Sequence, residues 1–100
     1  MTCIRFALLG SGFIGQVHAA SLARHERTVL SMVADADPER AKALASRYGA
    51  RAVTVAEAIS SDAIDAVLIA SSTPSHAALL EAAARAGKAI YCEKPIDLSL

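Results

Sequence analysis

The apolar and polar positions of this chain fall into two alternating kinds of segment. Short apolar runs at Ile4–Leu9, Thr28–Ala34, 66–70 and Ala89–Cys92 have the length and composition of buried strands. Between them, apolar residues recur at the three- and four-residue spacing of an amphipathic helix. The run at 66–70 contains no polar residue, which is typical of a central strand covered on both faces. The pattern predicts a regular alternation of strands and helices.

The predicted helix ends are marked by capping residues. Asp37 and Pro38 are a candidate N-cap and first helical residue, and Gly49 is placed to end that helix. Thr73 and Pro74 repeat the same start signal for a later helix, which we expect to stop at Gly87. The core faces predicted from spacing are Ile14, Val17, His18 and Leu22 in the first helix, and Ala41, Leu44, Ala45 and Tyr48 in the second.

A third strand is predicted at 52–54, followed by a short helix or turn at 55–60. Strands that alternate with helices favour right-handed crossovers and a parallel, doubly wound α/β sheet with strand order 3-2-1-4-5. Ligands of such sheets bind beyond the carboxyl ends of the strands, where the strand order reverses. The polar segments that follow the predicted strands would all lie along that edge: 10–15, Asp35, 71–76 and 93–95.

Composition is consistent with one globular domain. The chain has 100 residues, of which 54% are hydrophobic and 20% charged, and its formal net charge is zero. This balance gives no electrostatic argument for binding nucleic acid or an anionic membrane. Cys3 and Cys92 are expected inside buried strands, so neither a disulfide framework nor a metal site is expected. No run approaches a membrane span, and we expect a soluble, cytoplasmic protein.

Three glycines in a GxGxxG pattern follow the first predicted strand. In such a turn Gly10 permits the sharp exit from the strand, Gly12 lets backbone approach a pyrophosphate, and Gly15 allows close packing of helix and strand. The phosphates would meet the N–H groups at the positive end of the helix. By itself the pattern is also compatible with a glycine-rich turn that binds nothing.

The acid that ends the second predicted strand makes a dinucleotide site the favoured interpretation. Asp35 follows Gly15 by about twenty residues, the spacing at which an acid binds the adenosine ribose. A carboxylate there repels a 2′-phosphate, and Ala36 supplies no cation to offset that repulsion, so NAD is expected rather than NADP. The alternative is that Asp35 is only a loop or capping residue.

Several of these segments together resemble one family of oxidoreductases. The residues concerned are the glycine turn 9–15 with His18, Asp35 after Val33 and Ala34, 72–76, and Gly87-Lys88 followed by Cys92-Glu93-Lys94-Pro95. They resemble the glucose–fructose oxidoreductase, inositol dehydrogenase and MocA family over nearly the whole chain. Glu-Lys-Pro after the fifth strand is its most specific mark, and residues 93–98 are also similar to the inositol 2-dehydrogenase subgroup.

The resemblance implies an NAD(P)-dependent oxidoreductase that acts on a sugar or cyclitol and commonly assembles as a homotetramer. It also implies that a second domain, beyond Leu100, supplies an Asp, a His and most substrate contacts. Residues 1–100 would then be the dinucleotide-binding domain alone. The cofactor-binding positions that it implies, together with those the glycine loop suggests, are Gly10, Gly12, Phe13, Ile14, Gly15, Asp35, Ser72, Thr73, Pro74, His76 and Glu93.

Lys94 is the candidate catalytic residue. The resemblance implies that its amine reaches the hydroxyl being oxidised, and a lysine can accept that proton if its pKa is lowered towards neutrality. A lysine beside Glu93 is otherwise a common surface ion pair. Likewise, His18 and His76 each have a packing role as the alternative to ligand contact, and Thr73-Pro74 is first of all a helix start.

Two other functions use similar features. S-adenosylmethionine-dependent methyltransferases also combine a glycine loop with an acid after the second strand, but Glu-Lys-Pro and the Thr-Pro helix start argue against that class. A non-catalytic, NAD-responsive binding module is the other alternative. A downstream Asp-x-x-x-His segment would favour the dehydrogenase, and its absence would favour the module.

Overall fold

The computed structural model describes residues 3–10, 12–70 and 76–92 of the chain. Within these ranges strands and helices alternate as the sequence predicts. In chain order the elements are β1 Ile4–Leu9, α1 Phe13–Arg24, β2 Thr28–Ala34, α2 Pro38–Tyr48, β3 Arg51–Ala52, α3 Val55–Ser60, β4 Ala66–Ile69, α4 His76–Arg85 and β5 Ala89–Cys92.

The strands form one parallel sheet in the order β3-β2-β1-β4-β5. Both the α/β class and the predicted strand order are therefore confirmed. The order reverses between β1 and β4, because the chain returns to the centre of the sheet after building β3 at one edge. That reversal sets where a ligand cleft is expected.

Two apolar layers, one on each face of the sheet, make up the core. Phe6 and Leu8 of β1 point to the layer that holds α1 and α2, whereas Ala7 and Leu9 point to the layer that holds α3 and α4. Every residue of β4 is buried, as expected of a central strand. Both faces of β1 and β4 are therefore covered, and the carboxyl ends of these two strands, Leu9 and Ile69, are buried in the core.

The buried face of α1 differs from the prediction. Val17 is 48% exposed, whereas Ala19 is fully buried, Leu22 is 8% exposed, and Gly15 is buried. His18 is only partly buried. The periodicity predicted the helix correctly, but it did not predict which face of the helix is buried. Residues 15, 19 and 22 face the sheet, because Gly15 allows α1 to approach the turn at Gly10 closely.

The third strand begins and ends earlier than predicted. It covers Arg51–Ala52 instead of 52–54, although the Val53 N–H still donates to the Val33 carbonyl at 2.9 Å. Thr54 is the N-cap of α3, since its hydroxyl accepts from the Glu57 N–H at 3.1 Å. β4 likewise ends at Ile69, one residue before the predicted limit. Thr54 fits the strand pattern as well, but it serves as the N-cap of α3 and not as the end of β3.

Cys3 also departs from expectation. It precedes β1 and is exposed, rather than lying inside a buried strand. Within the described ranges, no helix is long and apolar enough to cross a membrane, and no cluster of His, Cys, Asp and Glu side chains is arranged to hold a metal ion.

Candidate cofactor-binding site

The register of the sheet aligns the carboxyl ends of four strands. Leu9 pairs with Ala34 on one side and with Ile69 on the other, and Ile69 pairs with Cys92. Two further backbone bonds continue this alignment beyond the strands: the Gly10 N–H donates to the Ala34 carbonyl, and the Ala70 N–H donates to the Leu9 carbonyl, both at 2.8 Å. The carboxyl ends of β1, β2, β4 and β5 therefore lie side by side.

The glycine turn after β1 has the geometry that its pattern predicts. Gly10 has a φ of 106°, a conformation that side-chain-bearing residues rarely adopt. A Cβ on Gly15 would lie 2.2 Å from the Gly10 carbonyl oxygen, so only glycine allows α1 to approach the turn this closely. A Cβ on Gly12 would have no atom within 4 Å, which leaves open space beside its backbone.

The N-terminus of α1 is suited to an anionic group. Gly12 is its N-cap, no described side chain caps it, and its first turn carries no acid. The first N–H groups of a helix have no partner inside the helix, and the macrodipole makes that end positive. An anion that enters the open space beside Gly12 would meet these groups.

Asp35 directly follows β2 and is partly buried. Its Oδ1 accepts from the Asp37 N–H at 2.8 Å, a turn that orients the carboxylate. Asp37 in turn caps α2 by accepting from the N–H groups of Glu39 and Arg40. The sequence 35–40 thus places a carboxylate and the start of a helix at the same edge of the sheet.

One cleft joins the glycine turn to Asp35. Its volume is about 430 Å³, within the range of small-molecule sites. Its walls come from the ends of β1, β2 and β4 and from α2, α3 and α4. The residues that line it include Gly10, Gly12, Asp35, Arg40, Val55 and Leu79.

Sequence reasoning did not identify Arg40 as part of this cleft. The available signal was its position in the first turn of the helix capped by Asp37, five residues after Asp35. The expected preference for NAD rests on Ala36, the neighbour of Asp35, which carries no charge. Arg40 nevertheless lines the same cleft as Asp35 and is exposed.

The remaining predicted site residues are only partly covered by the structure. The backbone of Phe13 and Ile14 forms the first turn of α1, and α4 is described from His76, but the side chains of these three residues lie outside the described part. Five further predicted residues lie outside the described ranges altogether: Ser72, Thr73, Pro74, Glu93 and Lys94. Ala70 and Cys92, the last described residues before them, both lie at the edge that carries the cleft.

Comparison with known proteins identifies the kind of domain. Residues 4–100 match the model of the Gfo/Idh/MocA oxidoreductase family, described as having an NAD-binding Rossmann fold. An inositol 2-dehydrogenase from Rhizobium meliloti strain 1021 is 50% identical over 95 residues, which cover 95% of this chain and 29% of that protein.

Solved structures give the same result. A myo-inositol dehydrogenase from Corynebacterium glutamicum superposes with a TM-score of 0.87 at 42% identity, over 96% of this chain and 29% of that one. GenD2 from gentamicin A biosynthesis, in complex with NAD, superposes with a TM-score of 0.91 at 33% identity, over 96% of this chain and 28% of that one. The chain thus spans less than a third of the length of each of these proteins.

Proposed function

The chain belongs to the Gfo/Idh/MocA oxidoreductase family, and on that premise we propose that the complete protein is an NAD-dependent dehydrogenase. It transfers a hydride between nicotinamide and a secondary alcohol of a cyclitol or sugar, in the manner of an inositol 2-dehydrogenase. The observation that carries the proposal is the single cleft that joins the glycine turn to Asp35 at the carboxyl edge of the sheet. The matched inositol dehydrogenases support the substrate class.

The described residues fit an adenine dinucleotide. Gly12 and the positive end of α1 would hold the pyrophosphate, because the backbone there is open and uncapped by any described side chain. Asp35 would accept hydrogen bonds from the adenosine ribose, since its carboxylate lines the same cleft. The bound nicotinamide supplies the hydride chemistry, and the protein has to bind and orient it.

The proton of the alcohol needs an acceptor, and we assign that role to Lys94. It comes two residues after β5, whose carboxyl end lies at the edge that carries the cleft. An amine with a lowered pKa can take up the hydroxyl proton as the hydride leaves the same carbon. Thr73, Pro74 and His76 are assigned to the nicotinamide side of the site on the strength of the family pattern, and Ser72 and Glu93 are proposed as further cofactor-binding residues.

A further domain would complete the active site. The matched stretches cover only 28–29% of the length of the relatives described above, which supports the assignment of 1–100 as the dinucleotide-binding domain. We propose that the complete protein is cytoplasmic and forms a homo-oligomer, a tetramer by family resemblance. Light scattering of the purified complete protein would measure the assembly.

The proposed activity is tested on the complete protein. NADH formation is followed at 340 nm with NAD or NADP and a panel of inositol isomers and aldoses. We expect at least one cyclitol or sugar to reduce NAD, and NADP to be used much less well. NADH binding without turnover on any member of the panel would favour the non-catalytic module, and a folded protein that does not bind NADH would contradict the proposal.

A further inference from the structure

The cleft beside Asp35 contains a charge of opposite sign. Arg40 lines this cleft together with Asp35 and Ala36, and it is exposed at the first turn of α2. Its position is fixed at the backbone, because its N–H donates to the Asp37 Oδ1 at 3.4 Å in the N-cap of that helix. The backbone of Arg40 thus belongs to the capped first turn of α2, and the residue lines the cleft from there.

The other acids near the start of α2 are engaged elsewhere. The Asp37 carboxylate accepts from the N–H groups of Glu39 and Arg40 as the helix cap. Glu39 forms an ion pair with Lys42, with 3.5 Å between Oε2 and Nζ. Asp35 is the described acid of this segment that lines the cleft together with Arg40.

A guanidinium and a carboxylate in one cleft have opposite effects on a 2′-phosphate. A carboxylate repels the phosphate of NADP, whereas a guanidinium binds phosphate through two parallel hydrogen bonds. When both line the site, the acid can mask the affinity of the arginine. Removing the acid alone would then reveal a phosphate site that already exists.

We propose that Arg40 is a latent ligand for the 2′-phosphate of NADP, and that the charge of Asp35 alone holds the site selective for NAD. This inference rests on the proposed cofactor site. The expectation of NAD drawn from the sequence rests on the absence of a cation at Ala36. The structure supplies that cation from one helical turn further along the chain.

Four variants of the complete protein test the inference. Asp35→Asn removes the charge but keeps an Oδ1 that can accept from the Asp37 N–H, so the turn is retained. Arg40→Gln is made alone and combined with Asp35→Asn. Arg47→Gln is the matched control, an exposed arginine further along α2 that does not line the cleft beside Asp35.

Dissociation constants for NADH and NADPH are measured by fluorescence at low ionic strength, where charge effects are least screened. We expect Asp35→Asn to tighten NADPH binding by about tenfold or more, the range of a charge-assisted hydrogen bond to phosphate. Adding Arg40→Gln should remove most of that gain. Arg40→Gln alone should leave NADH binding within about twofold of the original, as should Arg47→Gln.

Two results would overturn the inference. Asp35→Asn with Arg40→Gln could keep the full gain in NADPH affinity, which would place the phosphate away from Arg40. Arg40→Gln alone could weaken NADH and NADPH equally, which would place Arg40 at a part common to both cofactors. A failure of the proposed cofactor site is distinguishable, because the unmodified protein would then bind neither NADH nor NADPH, whereas NADH binding without turnover would contradict only the dehydrogenase activity.

Discussion

At the scale of single residues, Gly15 is needed for the packing of α1, whereas Gly12 is expected to matter for ligand binding. Gly15→Ala would place a Cβ 2.2 Å from the Gly10 carbonyl oxygen, so α1 would have to move away from the turn. We expect a loss of stability of about 1–3 kcal/mol, as for other overpacked sites. Gly12→Ala should cost less, about 1 kcal/mol at most, because it replaces the favoured glycine of an N-cap but its Cβ meets no atom within 4 Å and φ is −73°. It should instead weaken NADH binding by filling the space beside the backbone.

Thermal unfolding and NADH titration of the two variants measure these effects side by side. If Gly12→Ala bound NADH as tightly as the original, the pyrophosphate would not pass close to Gly12. A Gly15→Ala protein that melted normally would show that α1 can shift at little cost.

Lys94→Ala tests the proton acceptor. Loss of a general base lowers turnover by about 10²–10⁴-fold, while NAD affinity should hardly change because the cofactor is held elsewhere. Turnover is measured from steady-state rates with NAD and the identified alcohol, and cofactor affinity is measured by NADH titration. Lys42→Ala, which removes an exposed lysine paired with Glu39, is the control and should keep full turnover. Unchanged turnover in Lys94→Ala would remove this residue from the mechanism.

At the scale of elements, the ends of α2 were predictable and those of β3 were not. Asp37 and Gly49 each have a single good role, as N-cap and as the residue with positive φ at the helix end, and both are confirmed. Thr54 suits a strand and a helix cap equally well by residue type. The choice is made by α3, which packs Ala58 and Ile59 into the core and needs its first turn capped.

Removing that cap should destabilise the protein locally. Thr54→Ala leaves the Glu57 N–H without its side-chain acceptor, at a loss of about 1 kcal/mol. Thr54→Ser keeps the hydroxyl and should recover most of the stability. Hydrogen exchange of the α3 amides measures the change where it occurs. Equal protection in the alanine and serine variants would show that the hydroxyl does not stabilise α3.

At the scale of the molecule, the sheet and its ligand edge followed from the alternation of elements, because crossover handedness and strand order leave few topologies. Asp35 could be placed beside the glycine turn for the same reason. The position of Arg40 in the cleft and the exposed side of α1 could not be predicted from the sequence. Each depends on how a helix is rotated on the sheet, and tertiary contacts decide that rotation. Spacing along the chain records which residues share a face, but not which way that face turns.

The edge opposite the cleft is tied together by an ion pair between Arg5 and Asp65. These residues lie at the amino ends of β1 and β4, and the guanidinium donates to both carboxylate oxygens, at 2.9 and 2.8 Å. The Arg5 N–H adds a third bond to Oδ2 at 2.9 Å, and the Asp65 N–H donates to the Arg5 carbonyl at 2.9 Å. Hydrogen bonds from the Arg5 side chain and backbone hold the pKa of Asp65 well below its usual range.

This lowered pKa predicts how the stability of the protein depends on pH. A carboxyl whose pKa is lower in the folded than in the unfolded state stabilises the fold above its unfolded pKa, about 3.9, and that contribution is lost as the pH falls below this value. Asp65→Asn should therefore lower the thermal midpoint at pH 7, and its midpoint should approach that of the original protein as the pH is lowered from 5 to 2.

Glu81→Gln is the control, because its partner Arg85 lies one turn away in the same exposed helix and this pair joins no separate elements. It should change the midpoint little at any pH. A difference for Asp65→Asn that stayed constant with pH would mean that the carboxylate charge does not stabilise this edge. At pH 7 the NADH affinity of Asp65→Asn should match that of the original protein, since the pair lies at the far end of the strands from the cleft.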